Sequence, residues 1–187
     1  MRKITALLIV LALMLMCAPA LAAGENNVTH DFEDLTLTYP GDMILDEGEK
    51  TDPQLYFYLY SMDTSPDYFT NNLNAVWDSN YQSVEDVSPQ AMLDYTVDSI
   101  GETIENMGLE IYNLTGDSAE RLDLGGKAAL SFSYSYEYDR GGIRMDMKNH
   151  TVIVSDSGLG TYTFAITAVN DEGVDALMEV LNGIEWH

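Results

Sequence analysis

Residues able to act as nucleophile, base or metal ligand are few and scattered. The chain has three histidines, His30, His150 and His187, and one cysteine, Cys17. It contains no His-Glu-x-x-His, no Gly-x-Ser-x-Gly and no phosphate-cradling glycine loop. The local signatures of zinc proteases, serine hydrolases and nucleotide enzymes are therefore missing. Triads assemble in space rather than along the chain, so a secreted hydrolase with a site near His150 is the catalytic alternative. The plainer reading is an ordinary surface or strand histidine. We expect a non-enzyme, with no catalytic residue and no cofactor to assign.

Hard cations need several converging oxygens, as in the twelve-residue calcium loop, and no stretch here fits that loop. Acids stand at Asp63 and Asp67, at Asp156 in a glycine-rich turn, and at Asp171, Glu172 and Asp175. Asp171 and Glu172 are better explained as helix-start residues, where the helix dipole favours negative charge. A Ca2+-dependent structural or adhesion domain is a second alternative, with no metal ligand assigned. Weak, diffuse cation binding is expected of any surface this acidic.

The aromatics are the stronger lead, with twelve tyrosines in 187 residues. Alternation puts Tyr56, Tyr58 and Tyr60 on one face of a strand, and Tyr134, Tyr136 and Tyr138 on one face of another. If exposed, either set is a platform for a protein, peptide or glycan partner. If buried, both sets are core beneath helices, with hydroxyls at the rim, and this plainer reading is favoured.

Charge narrows the partners. The formal net charge is −23 at pH 7, from 31 acids against 8 lysines and arginines. Such a chain repels phosphate backbones and anionic lipid, which argues against nucleic acid. It also keeps an exported protein soluble.

The N-terminus reads as a signal peptide over residues 1–23. Arg2 and Lys3 precede an apolar run from Ile4 to Cys17, and Ala20-Leu21-Ala22 is a small-x-small cleavage site. Cleavage is expected after Ala22 or Ala23. The run is short for a span of about 20 residues, and no later stretch is a candidate membrane span. A lipoprotein anchored through Cys17 is the alternative, but Met16 stands where such signals carry a small residue. With Cys17 removed, no disulfide is available, so the fold must rest on its core. Roughly 160 residues remain, enough for one domain. The expected location is outside the cell or at the cell envelope.

Elements that could position these residues follow in order. Gly24 to Asp34 is polar and reads as a flexible lead-in, with one domain over 35–187. Leu35 to Tyr39 alternates as a strand, turned by Pro40-Gly41-Asp42, and Leu55 to Tyr60 is apolar on both faces, as in an inner strand. Leu73 to Trp77 is a short further strand. Ser88-Pro89 caps a long helix whose Leu93, Val97, Ile100, Ile104 and Met107 form one stripe. A strand at Leu109 to Leu114 and a tight turn at Leu122 to Lys127 between short strands follow. Next comes a hairpin from Leu130 to Val154, turning at Asp139 to Gly142, with a bulge near Asn149. Tyr162, Phe164, Ile166 and Ala168 then share one strand face. Val174, Leu177, Met178 and Leu181 form a helical stripe, and Gly183 stops that helix before Ile184 and Trp186. The fold class is α+β: a mostly antiparallel sheet with two helices.

Four landmarks carry a family resemblance. They are the Leu35-Thr-Leu-Thr-Tyr-Pro40 strand breaking into Gly41-Asp42, the Ser88-Pro89 helix, the Leu124-Gly-Gly-Lys-Ala128 turn into an aromatic strand, and the Tyr162 to Trp186 strand–helix–strand. Together the landmarks resemble the PsbP/Mog1/DcrB superfamily, which includes bacterial PsbP-like secreted and lipid-anchored proteins. The resemblance implies a central antiparallel sheet flanked by helices in an α/β/α sandwich. It also implies a non-enzymatic accessory or binding role, with no catalytic set to carry over. The ligand or partner stays open.

Overall fold

The computed structural model describes residues 27–48, 54–61, 70–81, 83–107 and 110–187. The leader, Cys17 and the acids Asp63 and Asp67 lie outside the described residues. The strands are β1 (Asn27–Asp31), β2 (Leu35–Pro40), β3 (Met43–Glu47), β4 (Gln54–Ser61), β5 (Asn72–Asp78), β6 (Ile111–Leu124), β7 (Lys127–Arg140), β8 (Ile143–Asp156), β9 (Gly160–Ala168) and β10 (Glu185–Trp186). The helices are α1 (Pro89–Met107) and α2 (Asp171–Asn182).

Every pairing is antiparallel, but the strands divide into two sheets. A large one runs β3-β4-β5-β9-β8-β7-β6, and a small one runs β1-β2-β10. The small sheet is where the lead-in differs from expectation. Asn27 to Asp31 is strand rather than flexible coil, paired from Asn27↔Pro40 to Asp31↔Thr36. Its polar residues are explained by position: β1 is an edge strand and stays mostly exposed. Its neighbour β2 alternates strictly, burying Leu35, Leu37 and Tyr39.

The small sheet and α2 cover one face of the large sheet, called here the α2 face. Phe57, Leu59, Leu73, Phe164, Ile166, Val152 and Val154 pack there against Leu177, Val180 and Leu181 of α2 and against Leu35 and Leu37. Asn170 caps α2 by accepting from the Gly173 amide at 2.8 Å. The opposite face is partly covered by α1, which packs on β6 and β7. Ser88 Oγ accepts from the Ala91 amide at 3.4 Å at its start, and Leu93 and Ile100 are its buried stripe. At Gly116 a Cβ would meet the Leu93 side chain at 3.0 Å, so the glycine lets helix and strand approach.

Two strand expectations are corrected by length and register. β6 and β7 are not short: each has fourteen residues, joined at Gly125-Gly126. Gly125 has φ +61, and a Cβ there would meet the Ile184 carbonyl oxygen at 2.8 Å. β8 carries no bulge near Asn149; its pairing with β7 runs unbroken from Arg140↔Ile143 to Ala129↔Val154. Met145, Met147, Asn149 and Thr151 therefore keep one face, while Val152 and Val154 belong to the other. The change from Met to Val that resembles a bulge in the sequence is a strand buried on both sides.

Candidate functional site

Beyond α1, the α1 face is built by five strands. Cross-strand register places Tyr60, Asn72, Thr167, Asn149 and Tyr134 in one row. Tyr58, Asn74, Ala165, Thr151 and Phe132 make the next. The floor between the tyrosines is thus short and polar. It is also buried: Asn72, Asn74, Asn149, Thr151 and Thr167 all lie out of solvent.

The tyrosine sets do not stand as alternation predicts. A bulge between Leu55 and Phe57 shifts register, and Tyr56 joins the α2-face core with Phe32, Phe57 and Tyr162. Tyr58 and Tyr60 stay on the α1 face, stacked at 5.2 Å between centroids. Tyr134 and Tyr136 stack at 6.5 Å on the same face from β7. Tyr138 is half-buried further along, where Tyr136 and Tyr138 pack on Met145 and Met147. Burial pushes the Tyr58 hydroxyl up to about 12, aided by Tyr60 and Asp46. Burial likewise holds Tyr136 at about 12, with an opposing pull from Asn149, and raises Tyr134.

Hydrogen bonding across the floor is incomplete. Thr167 Oγ1 donates to Asn149 Oδ1 at 3.1 Å. Asn149 Nδ2 lacks a well-directed partner, although the Tyr136 hydroxyl lies close to it. Asn74 is wholly buried, yet neither its Oδ1 nor its Nδ2 has a partner. Leaving a buried amide unpaired costs about 1–3 kcal/mol. Sequence reading missed Asn72, Asn74, Asn149 and Thr167. The available signal was the alternation Asn72-Leu-Asn-Ala75, which puts amides on every second position of an inner strand.

The chain just before α1 is tied to β6 through Arg121. Arg121 donates to the carbonyls of Val84 and Glu85 at 2.8 Å and of Val87 at 2.7 Å. Val84 is buried beneath that clamp.

The histidines do not converge. His30 Nε2 meets Glu47 at 2.8 Å, and His187 Nε2 pairs with Thr36 Oγ1 at 2.8 Å. His150 lies on the α2 side of β8, where its Nε2 is 2.7 Å from Ser131 Oγ. Burial lowers the His150 pKa, against a smaller upward pull from Glu120. Ser131 is only 1% exposed, so its oxygen is out of a substrate's reach. Asp156 accepts from Lys127 at 2.7 Å, which with the Gly158 amide holds its carboxyl below the usual range. Asp171 lies 3.7 Å from Lys148 at the start of α2. Among the described residues, no group of three or more His, Cys, Asp or Glu side chains could hold a metal ion.

Against known proteins, no family model matches this chain. No curated protein matches it either. Solved structures do. Cyanobacterial PsbP (CyanoP) of Synechocystis superposes with a TM-score of 0.61 at 13% identity, covering 93% of this chain and 99% of that one.

The fold is that of PsbP.

Two further matches are LpqN of Mycobacterium tuberculosis, involved in cell envelope biogenesis, and a protein of unknown function from Pseudomonas aeruginosa. The first gives a TM-score of 0.47 at 17% identity, over 87% of this chain and 90% of that one. The second gives 0.43 at 13% identity, over 86% and 96%. The PsbP-like fold agrees with the α+β sandwich expected from the four landmarks. No helix among the described residues is long and apolar enough to cross a membrane.

Proposed function

We propose that this chain is an exported, non-catalytic accessory domain that works by binding, through the α1 face of its large sheet. The observation that carries this reading is the buried, unpartnered Asn74 amide on a floor flanked by stacked tyrosine pairs. A face meant only for stability would hold apolar side chains there, because buried amides contribute only when paired. Residues 1–23, with the apolar run and Ala20-Leu21-Ala22, support export. The partner then lies in the envelope or the medium. The PsbP-like fold supports an accessory role only through the family resemblance.

Native mass spectrometry of the protein purified undenatured from its host tests the reading. A bound adduct that is lost on Tyr58→Ala supports it; a bare chain in every preparation counts against it. The same spectra read the N-terminus. A start at Ala23 or Gly24 means a freely exported domain, and a lipid-bearing start at Cys17 means an anchored one.

The His150–Ser131 hydrogen bond is the one observation favouring a hydrolase. The buried hydroxyl in the middle of a flat strand weighs against it, since a nucleophile must meet its substrate. Hydrolysis of ester or glycoside probes that disappears in His150→Ala would restore that reading.

A further inference from the structure

Three Asn-x-Thr triplets lie in the chain: Asn27-Val-Thr29, Asn113-Leu-Thr115 and Asn149-His-Thr151. In an exported protein such a triplet is an acceptor for an N-linked glycan, provided that a transferase can reach it. The fold separates the three. Asn149 is 4% exposed and Thr151 7%, both inside the large sheet between β7 and β9. No transferase can reach that pair in the folded chain. Asn113 is exposed where β6 shifts register between Tyr112 and Thr115, at a left-handed φ of 54°. Its Nδ2 donates to Glu137 Oε1 at 2.6 Å, and Thr115 Oγ1 is shared between Ser135 and Asp117 at 3.3 and 3.4 Å. The two groups that the transfer needs are therefore turned to other partners.

Asn27 differs on each count. It begins β1, the outer strand of the small sheet, and both it and Thr29 are exposed. Strand alternation puts the two side chains on one face, as the transfer requires, because the hydroxyl must reach the reacting amide. That face also carries Pro40 and Thr38, their register partners, and not the buried Leu37 and Tyr39. Glu25 stands two residues ahead of Asn27 in the sequence and offers a basic enzyme groove a charge to pair with. Ile111 and Met147 hold that place ahead of Asn113 and Asn149. A glycan on Asn27 would stand beside the outer edge of β1. That strand has no lysine, proline or bulge to discourage pairing with another chain.

We infer that Asn27 is an attachment site for an N-linked glycan, donated by a lipid-diphosphate-linked oligosaccharide. Asn27 Nδ2 bonds to the anomeric carbon as the carbon–oxygen bond to the diphosphate breaks. The amide gives up one proton, and the lipid diphosphate leaves. This rests on the export reading and is independent of the α1 face.

The test is denaturing mass spectrometry with glycopeptide mapping of the chain recovered from its native host. A covalent glycan mass is expected on the peptide holding Asn27, with Asn113 and Asn149 bare. It should be lost in Asn27→Gln and in Thr29→Ala. Both side chains are exposed, so these variants should stay folded. Denaturation strips any molecule bound at the α1 face, which keeps the two readings apart.

A chain with its leader removed and Asn27 unmodified overturns the inference and leaves export standing. A glycan mass that persists in Asn27→Gln puts the sugar elsewhere and overturns it too. A chain that still starts at Met1, with Asn27 bare, overturns export and the inference together.

Discussion

The two faces of the large sheet share strands but differ in what those strands bury. On the α2 face, β5 and β9 present Leu73, Ala75, Phe164 and Ile166 to α2 and the small sheet. Each large apolar group of that kind contributes about 1.5–3 kcal/mol on burial. The buried Asp34 carboxylate there accepts from the Tyr162 hydroxyl and so is paired. On the α1 face the same strands turn Asn72, Asn74, Ala165 and Thr167 inward, and the Asn74 amide goes unpaired. Depth of burial alone would call both faces core. The type of residue buried separates them: the α2 face is mostly apolar, with the Tyr56 hydroxyl its one unpaired buried side-chain atom among the described residues, whereas the α1 floor is amide and hydroxyl.

Several outcomes would break or sharpen that contrast. Alkali should act most strongly, since buried tyrosines lie on both faces. Tyr56, Tyr58 and Tyr136 are held near about 12, and burial raises Tyr162 as well. Unfolded tyrosines ionise near about 10. The folded chain thus keeps these hydroxyls protonated while the unfolded chain loses them. Stability should be complete below about pH 10 and fall as pH rises toward about 12. Tyrosinate absorbance and circular dichroism should therefore change together. Tyrosinate forming well before unfolding would mean that the tyrosines are open to water in the folded state.

Phe164→Ala, at a site 0% exposed on the α2 face, should cost about 3–5 kcal/mol by denaturant titration. A loss near 1 kcal/mol would deny that face its dominance. Arg121→Met removes the donor to three backbone carbonyls and should cost about 2–3 kcal/mol. Hydrogen exchange in residues 83–88 should quicken with it. Unchanged protection there would mean that the clamp is idle. Thr167→Val leaves Asn149 Oδ1 without its donor and should cost about 1 kcal/mol. A cost as large as that of Phe164→Ala would erase the difference between faces.

Much of this was legible in the residues. The helix starts at Ser88 and Asn170, the aromatic alternation of β7 and the strand–helix–strand ending all follow from local spacing, because caps and periodicity are local physics. Three features depended on distant partners. β1 reads as a polar tail because an edge strand needs no apolar face, and its partner β2 alone makes it a strand. Tyr56 turned to the other face because a bulge is set by pairing with β5. The floor at Asn74 emerged only when register aligned asparagines and threonines from three strands. No single stretch carries that alignment, although the asparagine alternation in β5 was visible.

The contrast between the faces turns on the Asn74 amide, buried on the α1 face without a hydrogen-bond partner. The equilibrium stability of unliganded Asn74→Leu measures this most directly. Replacing an unpaired buried amide with an apolar group of similar size should leave the unfolding free energy unchanged or raise it. A loss of about 2 kcal/mol or more would show that Asn74 is already satisfied within the fold, and would contradict the account.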